Sequence, residues 1–180
     1  MATHLSRDFG GVRVDTSDWP IILMEFPEYR FPDADFEAAL GHIEQIMQEC
    51  HGTGHKCAQI TDLTRMQQIA PASQRKYAGD WAKRNNDLIV AVSVGGATVT
   101  PSAILRGLVT AVHWFHRPPT PNAFLATRPD GLRYVIELLE GGKVVLPPRV
   151  RELRDRLTMQ AKTHRDSSRA GSTDVVGWRR

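Results

Sequence analysis

The chain has 180 residues, of which 41% are hydrophobic and 24% charged, a composition typical of one globular domain with an extension. No run approaches the roughly 18 apolar residues of a transmembrane helix, and residues 1–15 lack the apolar stretch of a secretory signal. The two cysteines exclude a disulfide scaffold and predict a reducing, cytoplasmic location.

Charge divides the chain into two parts. Residues 1–142 contain 13 Lys or Arg against 16 Asp or Glu, whereas residues 143–180 contain 10 against 4. The basic end can attract nucleic acid, anionic lipid or an acidic protein surface. A solvated tail without a dedicated partner is the simpler interpretation. Single-strand binding is weakly supported, because only Trp178 supplies an aromatic platform.

The first half of the chain predicts strands at residues 10–14 and 20–26, a helix at 34–50 and a strand at 56–64. The helix has apolar residues at every third or fourth position: Phe36, Leu40, Ile43, Met47 and Cys50. Asp33 is the expected N-cap of this helix, and Gly52 and Gly54 are expected to end it.

The second half continues the alternation of helices and strands. A helix is expected at 71–87, beginning at Pro71. The run LIVAVSVGG (88–96) predicts a buried central strand whose glycine pair turns into the next helix. That helix begins at Thr100 and Pro101 and ends at the HRPPTP segment.

A fifth strand is expected at 122–127, followed by a helix to Glu140. Thr127 and Asp130 have the spacing of a capping box, and the Gly141–Gly142 pair ends this helix. Residues 148–161 predict an added helix with a narrow apolar stripe made of Val150, Leu153 and Leu157. Such a helix either lies loosely on the domain or contacts a partner, including a second copy of the chain.

These elements define the expected domain organisation. We expect an N-terminal arm at 1–9, an α/β domain at 10–142, an appended helix at 143–162 and a basic, disordered tail at 163–180. The alternation of strands and helices predicts a sheet with right-handed crossovers. Because the chain opens with a hairpin, the sheet is expected to be mixed.

The element order resembles a known family. It comprises the apolar strand PIILMEFPEYR, the helix FEAALGHIEQIMQEC and a strand ending in Asp62-Leu63-Thr64. A helix with Ser73, Arg75 and Trp81, the strand LIVAVSV, a helix with Ser102 and Arg106, and the NAFLAT strand follow. This order resembles the STAS-like family, the fold of bacterial anti-sigma-factor antagonists, and more narrowly an uncharacterised branch of it. The resemblance implies a mixed β-sheet of about five strands with four helices and a C-terminal helical extension.

The resemblance also implies a regulatory hydroxyl. Anti-sigma antagonists carry a phosphorylatable Ser or Thr where a strand's loop meets the next helix, and Thr61, Thr64 and Ser73 occupy that region here. The usual Asp-Ser-Ser-Gly run is absent, and APAS stands in its place. A phosphate at this helix N-terminus would meet free N–H groups, with Arg75 and Lys76 one turn away. Simple capping by Thr64 and Ser73 is the alternative.

Two groups of residues have metal-ligand side chains. Cys50, His51, His55 and Cys57 lie within eight residues, but their spacing matches no standard zinc site, and both cysteines fit the core. His113 and His116 share a helix surface with Arg117, where an electrostatic cap is the simpler role. We therefore expect no metal and no cofactor.

The sequence offers no signature of catalysis. The dinucleotide, P-loop, nucleophile-elbow and zincin motifs are absent, so we do not expect an enzyme. The favoured hypothesis is a non-catalytic signalling or protein-interaction module of the bacterial cytoplasm. Phosphorylation of this module would be the switch in one version of the hypothesis. Its contact surface would gather Thr64, Ser73, Arg75, Ser102 and Arg106.

The alternative is a domain that binds a small hydrophobic ligand or a nucleotide. A closed apolar cavity lined by Met24, Phe26, Trp81 and Phe115 would favour that alternative, whereas a filled core would favour the interaction module.

Overall fold

The computed structural model describes residues 6–68, 70–103 and 119–170, and it has the expected α/β architecture with a mixed sheet. Six strands lie in the sheet in chain order: β1 (Arg7–Phe9), β2 (Val12–Asp15), β3 (Ile21–Glu25), β4 (Cys57–Asp62), β5 (Ser93–Val99) and β6 (Asn122–Leu125). β1, β2 and β3 pair antiparallel, and β3, β4, β5 and β6 pair parallel. Arg7–Phe9 thus adds a strand that the sequence assigns to an arm.

The described residues contain five helices. They are α1 (Asp33–Thr53), α2 (Ala72–Arg84), α3 (Asn86–Val92), α4 (Arg128–Gly141) and α5 (Pro148–Ala170). The helix expected after Thr100 falls largely on residues outside the described ranges. The single helix expected at 71–87 divides at Asn85, whose buried side chain donates to Glu44 of α1 at 3.0 Å.

The prediction of a strand at 88–96 is wrong in its position. Residues 86–92 form α3, and the strand begins only at Ser93. A short apolar run does not distinguish a strand from a buried helix by periodicity. Leu88, Ile89 and Val92 pack into the core beside α1 as a helix.

The glycine pair of this region lies inside β5 and does not form the expected turn into a helix. A Cβ on Gly96 would lie 2.8 Å from the backbone oxygen of Gln59 in β4, and one on Gly95 would lie 2.5 Å from that of Pro121. Gly95 also has a φ of +137°, which side-chain-bearing residues rarely adopt. The two glycines therefore let the backbone of Gln59 on one side and of Pro121 on the other approach β5 closely.

Two cores lie on opposite faces of the sheet because successive strand residues point in opposite directions. In β3, Ile22 and Met24 face α1, α2 and α3, whereas Ile21 packs beneath α4 and α5. α5 belongs to the second core through Val150 and Leu157, which are buried. The added helix is therefore packed on the domain, and it continues to Ala170.

The helix ends follow local chemistry. α1 begins at Asp33, the residue expected to be its cap and one residue before its expected start, and Pro32 precedes it without a side-chain cap. Gly54 ends α1 in the left-handed conformation, as expected, but Gly52 lies inside the helix and does not end it. The predicted cap of α4 is confirmed, because Thr127 Oγ1 accepts from the backbone N–H of Asp130 at 3.3 Å.

Candidate functional site

Parallel strands end at one edge of a sheet, and in open α/β folds ligands bind beyond the carboxyl ends of the strands. β3 ends at Glu25, which is in register with Asp62 at the end of β4. Asp62 is in turn in register with Val99 of β5, after which Thr100 is fully buried. We call Glu25, Asp62, Thr64, Thr100 and Arg128 the carboxyl edge.

Asp62 organises the chain that leaves β4. Its side chain is 4% exposed, and its Oδ1 accepts from the backbone N–H of Thr64 at 2.9 Å and from the Thr64 hydroxyl at 2.6 Å. Such Asx turns fix a loop through local hydrogen bonds. Thr64 is exposed, so its hydroxyl is held at the surface by a buried carboxylate.

The backbone on either side strengthens this placement. The Phe26 N–H donates to the Asp62 carbonyl at 3.2 Å, and the Leu63 N–H donates to the Val99 carbonyl at 2.8 Å. Sheet pairing therefore continues one residue past β4 and stops just before Thr64. The position of Thr64 is set by the sheet itself.

Arg128 connects the ends of two strands. It is the first residue of α4, and its Nη1 lies 2.7 Å from Glu25 Oε1 while its Nε lies 3.6 Å from Asp62 Oδ2. Arg13 of β2 approaches the other Glu25 oxygen at 3.8 Å. The second oxygen of Asp62 thus faces a guanidinium while the first holds Thr64.

Glu25 and Arg128 were not predicted as site residues. The available signal was the position of Arg128 in the first turn of a helix, where the macrodipole disfavours a cation. A cation there indicates a nearby anion, but the sequence does not say which one. Glu25 follows four apolar residues of β3, which is also an unusual place for a charge.

The other site residues predicted from the sequence make no hydrogen bond to Thr64 within the described part of the chain. Ser73 is exposed in the first turn of α2. The Arg75 Nη1 donates to the carbonyl of Ala70 at 2.5 Å. Ser102 is half-buried, with its N–H 3.4 Å from the Thr100 hydroxyl. Arg106 lies outside the described residues.

The candidate metal ligands are dispersed. His51 and His55 are exposed, and His55 Nδ1 lies 2.7 Å from the Thr53 hydroxyl. Across residues 6–68, 70–103 and 119–170, no three His, Cys, Asp or Glu side chains are grouped as a metal site. His113 and His116 lie outside those ranges.

The two cysteines are buried in the core beside α1, as expected from their apolar neighbours. A hydrogen bond between the thiols raises the pKa of Cys57, to which burial adds, and lowers the pKa of Cys50.

The side chains named for a ligand cavity fill the core beside α1. Met24, Phe26 and Trp81 are all buried in that cluster. The Phe26 ring lies 5.6 Å from Phe31 and 6.0 Å from Phe36, centroid to centroid. Phe115 lies outside the described residues, so three of the four proposed cavity walls are packed against other side chains.

No protein-family model matches the chain, and neither the curated proteins nor the solved structures compared with it include a match. The resemblance to the STAS-like family therefore stays a prediction. Among the helices within the described ranges, none has the length and apolar character needed to cross a membrane.

Proposed function

We propose that this chain is a non-catalytic regulatory module that binds a partner protein through its carboxyl edge, with phosphorylation of Thr64 as the switch. The observation that carries the proposal is the chain of contacts from the exposed Thr64 hydroxyl to buried Asp62 and on to Arg128. A change at the surface hydroxyl is thereby coupled to the ends of β3 and β4.

The coupling has a clear electrostatic sense. A phosphate adds a charge of about −1.5 to −2 at neutral pH. On Thr64 the phosphate would replace the hydroxyl hydrogen that now donates to Asp62, and it would face that carboxylate directly. Repulsion would open the Asx turn, and the guanidinium of Arg128 would be drawn toward the phosphate. The surface offered to a partner would change in both shape and charge.

The structure favours Thr64 over Ser73 for this role. The Ser73 hydroxyl makes no hydrogen bond to another described residue, and the side chains expected to receive its phosphate are engaged elsewhere. Arg75 is bound to the carbonyl of Ala70, and Lys76 pairs with Asp80 at 2.7 Å. Of the two hydroxyls compared, that of Thr64 is hydrogen-bonded to a charged group of the carboxyl edge, Asp62.

Affinity capture of the full-length tagged chain from its own cells tests the proposal. We expect wild type and Thr64→Ala to recover a protein partner in stoichiometric amounts, and Thr64→Glu to lose at least nine-tenths of it, or the reverse preference. Mass spectrometry of residues 61–75 should find a phosphate on Thr64 in a fraction of the wild-type chain.

Thr53→Glu is the matched control. Thr53 is also exposed, but its hydroxyl donates to the backbone carbonyl of Glu49 at 2.7 Å and reaches no carboxylate. It should therefore leave capture unchanged. Equal capture by Thr64→Ala and Thr64→Glu, or the absence of any stoichiometric protein partner, would contradict the proposal.

A further inference from the structure

A groove of about 240 Å³ lies between the first turns of α1 and α2. α1 contributes Asp33, Phe36 and Glu37, and α2 contributes residues from Ser73 to Asp80. Both helices begin at the end of the sheet where β3 and β4 finish. The groove therefore lies on the side of the sheet covered by α1, toward the end of the sheet where β3 and β4 finish.

The outer part of the groove is acidic. Asp33 and Glu37 are four residues apart, which places two like charges side by side on α1. Neither carboxylate forms an ion pair within the described ranges, and both side chains are exposed. Across the groove Lys76 is held by Asp80 at 2.7 Å, so it does not neutralise the pair on α1.

The inner part of the groove contains an unused acceptor. Gln74 is 2% exposed, and its Nε2 donates to the Phe31 carbonyl at 3.1 Å. Its Oε1 is buried without a hydrogen-bond partner among the described residues. Only a donor can complete this amide. A phosphate or carboxylate ligand would fail here and would also be repelled by Asp33 and Glu37.

Aromatic rings form the walls. Phe36 and Tyr77 meet edge to face with 6.4 Å between their centroids. The Tyr77 ring already attracts one guanidinium, since Arg84 Cζ lies 5.7 Å from its centroid. A planar cation with several N–H donors suits such walls better than an ammonium, because it stacks on rings and donates in more than one direction.

We propose that this groove binds the guanidinium group of an arginine side chain presented by the partner protein. One edge of the guanidinium donates to Gln74 Oε1, and the other edge donates to the carboxylates of Asp33 and Glu37. Because Oε1 is buried, binding requires the side chains that line the groove to move apart. The inference deepens the proposed function by giving the partner's chemistry, and it rests on that function for the claim that a protein supplies the arginine.

NMR titration of the isotope-labelled full chain with N-acetyl-arginine N-methylamide tests the site. We expect saturable shifts at residues 33–37 and 73–80 and at the side-chain amide of Gln74. The dissociation constant should be roughly millimolar, as is usual for one side chain binding alone. The citrulline analogue has the same shape without the charge, and it should bind at least tenfold more weakly.

Variants locate the contacts. Asp33→Asn and Glu37→Gln should each weaken binding roughly two- to fivefold, and Gln74→Met should weaken it roughly three- to tenfold. Glu152→Gln makes the same charge change on the exposed surface of α5 and should have no effect. Unchanged spectra elsewhere show that each variant is folded.

Equal binding of the citrulline analogue, shifts outside the groove, or indifference to all three groove variants would overturn the proposal. Tighter binding of free arginine than of the capped form would replace the protein side chain with the amino acid as occupant. The titration needs neither a partner nor phosphorylation. Its failure would thus leave the Thr64 capture result standing, and failed capture would leave the titration standing.

Discussion

The two faces of the sheet are built from different chemistry. Beneath α4 and α5 every buried side chain of the core is aliphatic. Beneath α1, α2 and α3 the core contains three phenylalanines and Trp81, and buried amides of Gln74 and Asn85 accompany them. Aliphatic packing is non-directional, whereas amides and indoles require particular partners. The second face therefore constrains geometry, and the candidate groove opens on it.

The largest expected effect is on the face beneath α4 and α5, which we call the aliphatic face. Leu139 of α4 is fully buried, so Leu139→Ala should lower the free energy of unfolding by about 2–5 kcal/mol. Urea denaturation measures this value. Val145→Ala is the control, because Val145 is almost fully exposed and should change little. A loss below about 1 kcal/mol for Leu139→Ala would mean that α4 is not tightly packed.

On the face beneath α1, α2 and α3, stability should depend on the carboxylate of Glu44. Glu44 Oε2 accepts from the Trp81 indole at 3.2 Å and from the Asn85 amide at 3.0 Å. Glu44→Ala leaves the Trp81 indole N–H without its acceptor and removes one of the two hydrogen bonds of the Asn85 amide, which keeps its bond to the Trp81 carbonyl. This loss should cost about 1–3 kcal/mol. Glu44→Gln keeps one acceptor and should recover part of the loss. Equal losses for both variants would show that shape, not hydrogen bonding, holds this face together.

A smaller effect is expected where α4 begins. Thr127→Ala removes the acceptor for the Asp130 N–H and should lower the free energy of unfolding by about 1 kcal/mol. Thr158→Ala is the matched control, because the Thr158 hydroxyl donates to a carbonyl within α5. If both variants are neutral in thermal and urea denaturation, the cap contributes nothing to the aliphatic face.

The smallest expected effect is on how the free energy of unfolding depends on pH. Burial alone would raise the pKa of Asp15 on β2, but the Ser17 hydroxyl and N–H and the Arg13 guanidinium together hold that pKa below the ordinary 3.8. The folded state thus favours the charged form. Its stabilisation is full above the ordinary value and is lost as pH falls through the lowered one. Asp15→Asn should reduce the fall in the free energy of unfolding at low pH, measured by urea denaturation across that pH range. An unchanged fall would show that other carboxylates cause it.

Local patterns were sufficient for most helices and for the sheet's mixed character. α1 and α4 carry apolar stripes and clear ends, so their bounds are predicted within a few residues. The run at 88–96 was misplaced because α3 and β5 are both apolar, and only the position of β4 determines where pairing begins. The contact between Arg128 and Glu25 spans more than half the chain, and no local pattern encodes it.

The candidate site shows the same limit. Thr64 is predicted from its place after a strand, and the structure shows that Asp62 holds it in an Asx turn. The link from Asp62 to Arg128 depends on how α4 packs against β4 and β5. Likewise, the sequence of α2 does not indicate that Gln74 is buried with its amide donating to the Phe31 carbonyl.

The order of the strands in the sheet is also their order in the chain. Each hydrogen-bonded strand pair therefore joins consecutive strands, and no later segment must insert between two that have already paired. The antiparallel pairs β1–β2 and β2–β3 close over short loops, whereas the parallel pairs from β3 to β6 close over longer connections and form more slowly. The N-terminal strands are also the first to be synthesised. During translation the sheet can widen by one strand at a time, with α5 covering the aliphatic face last.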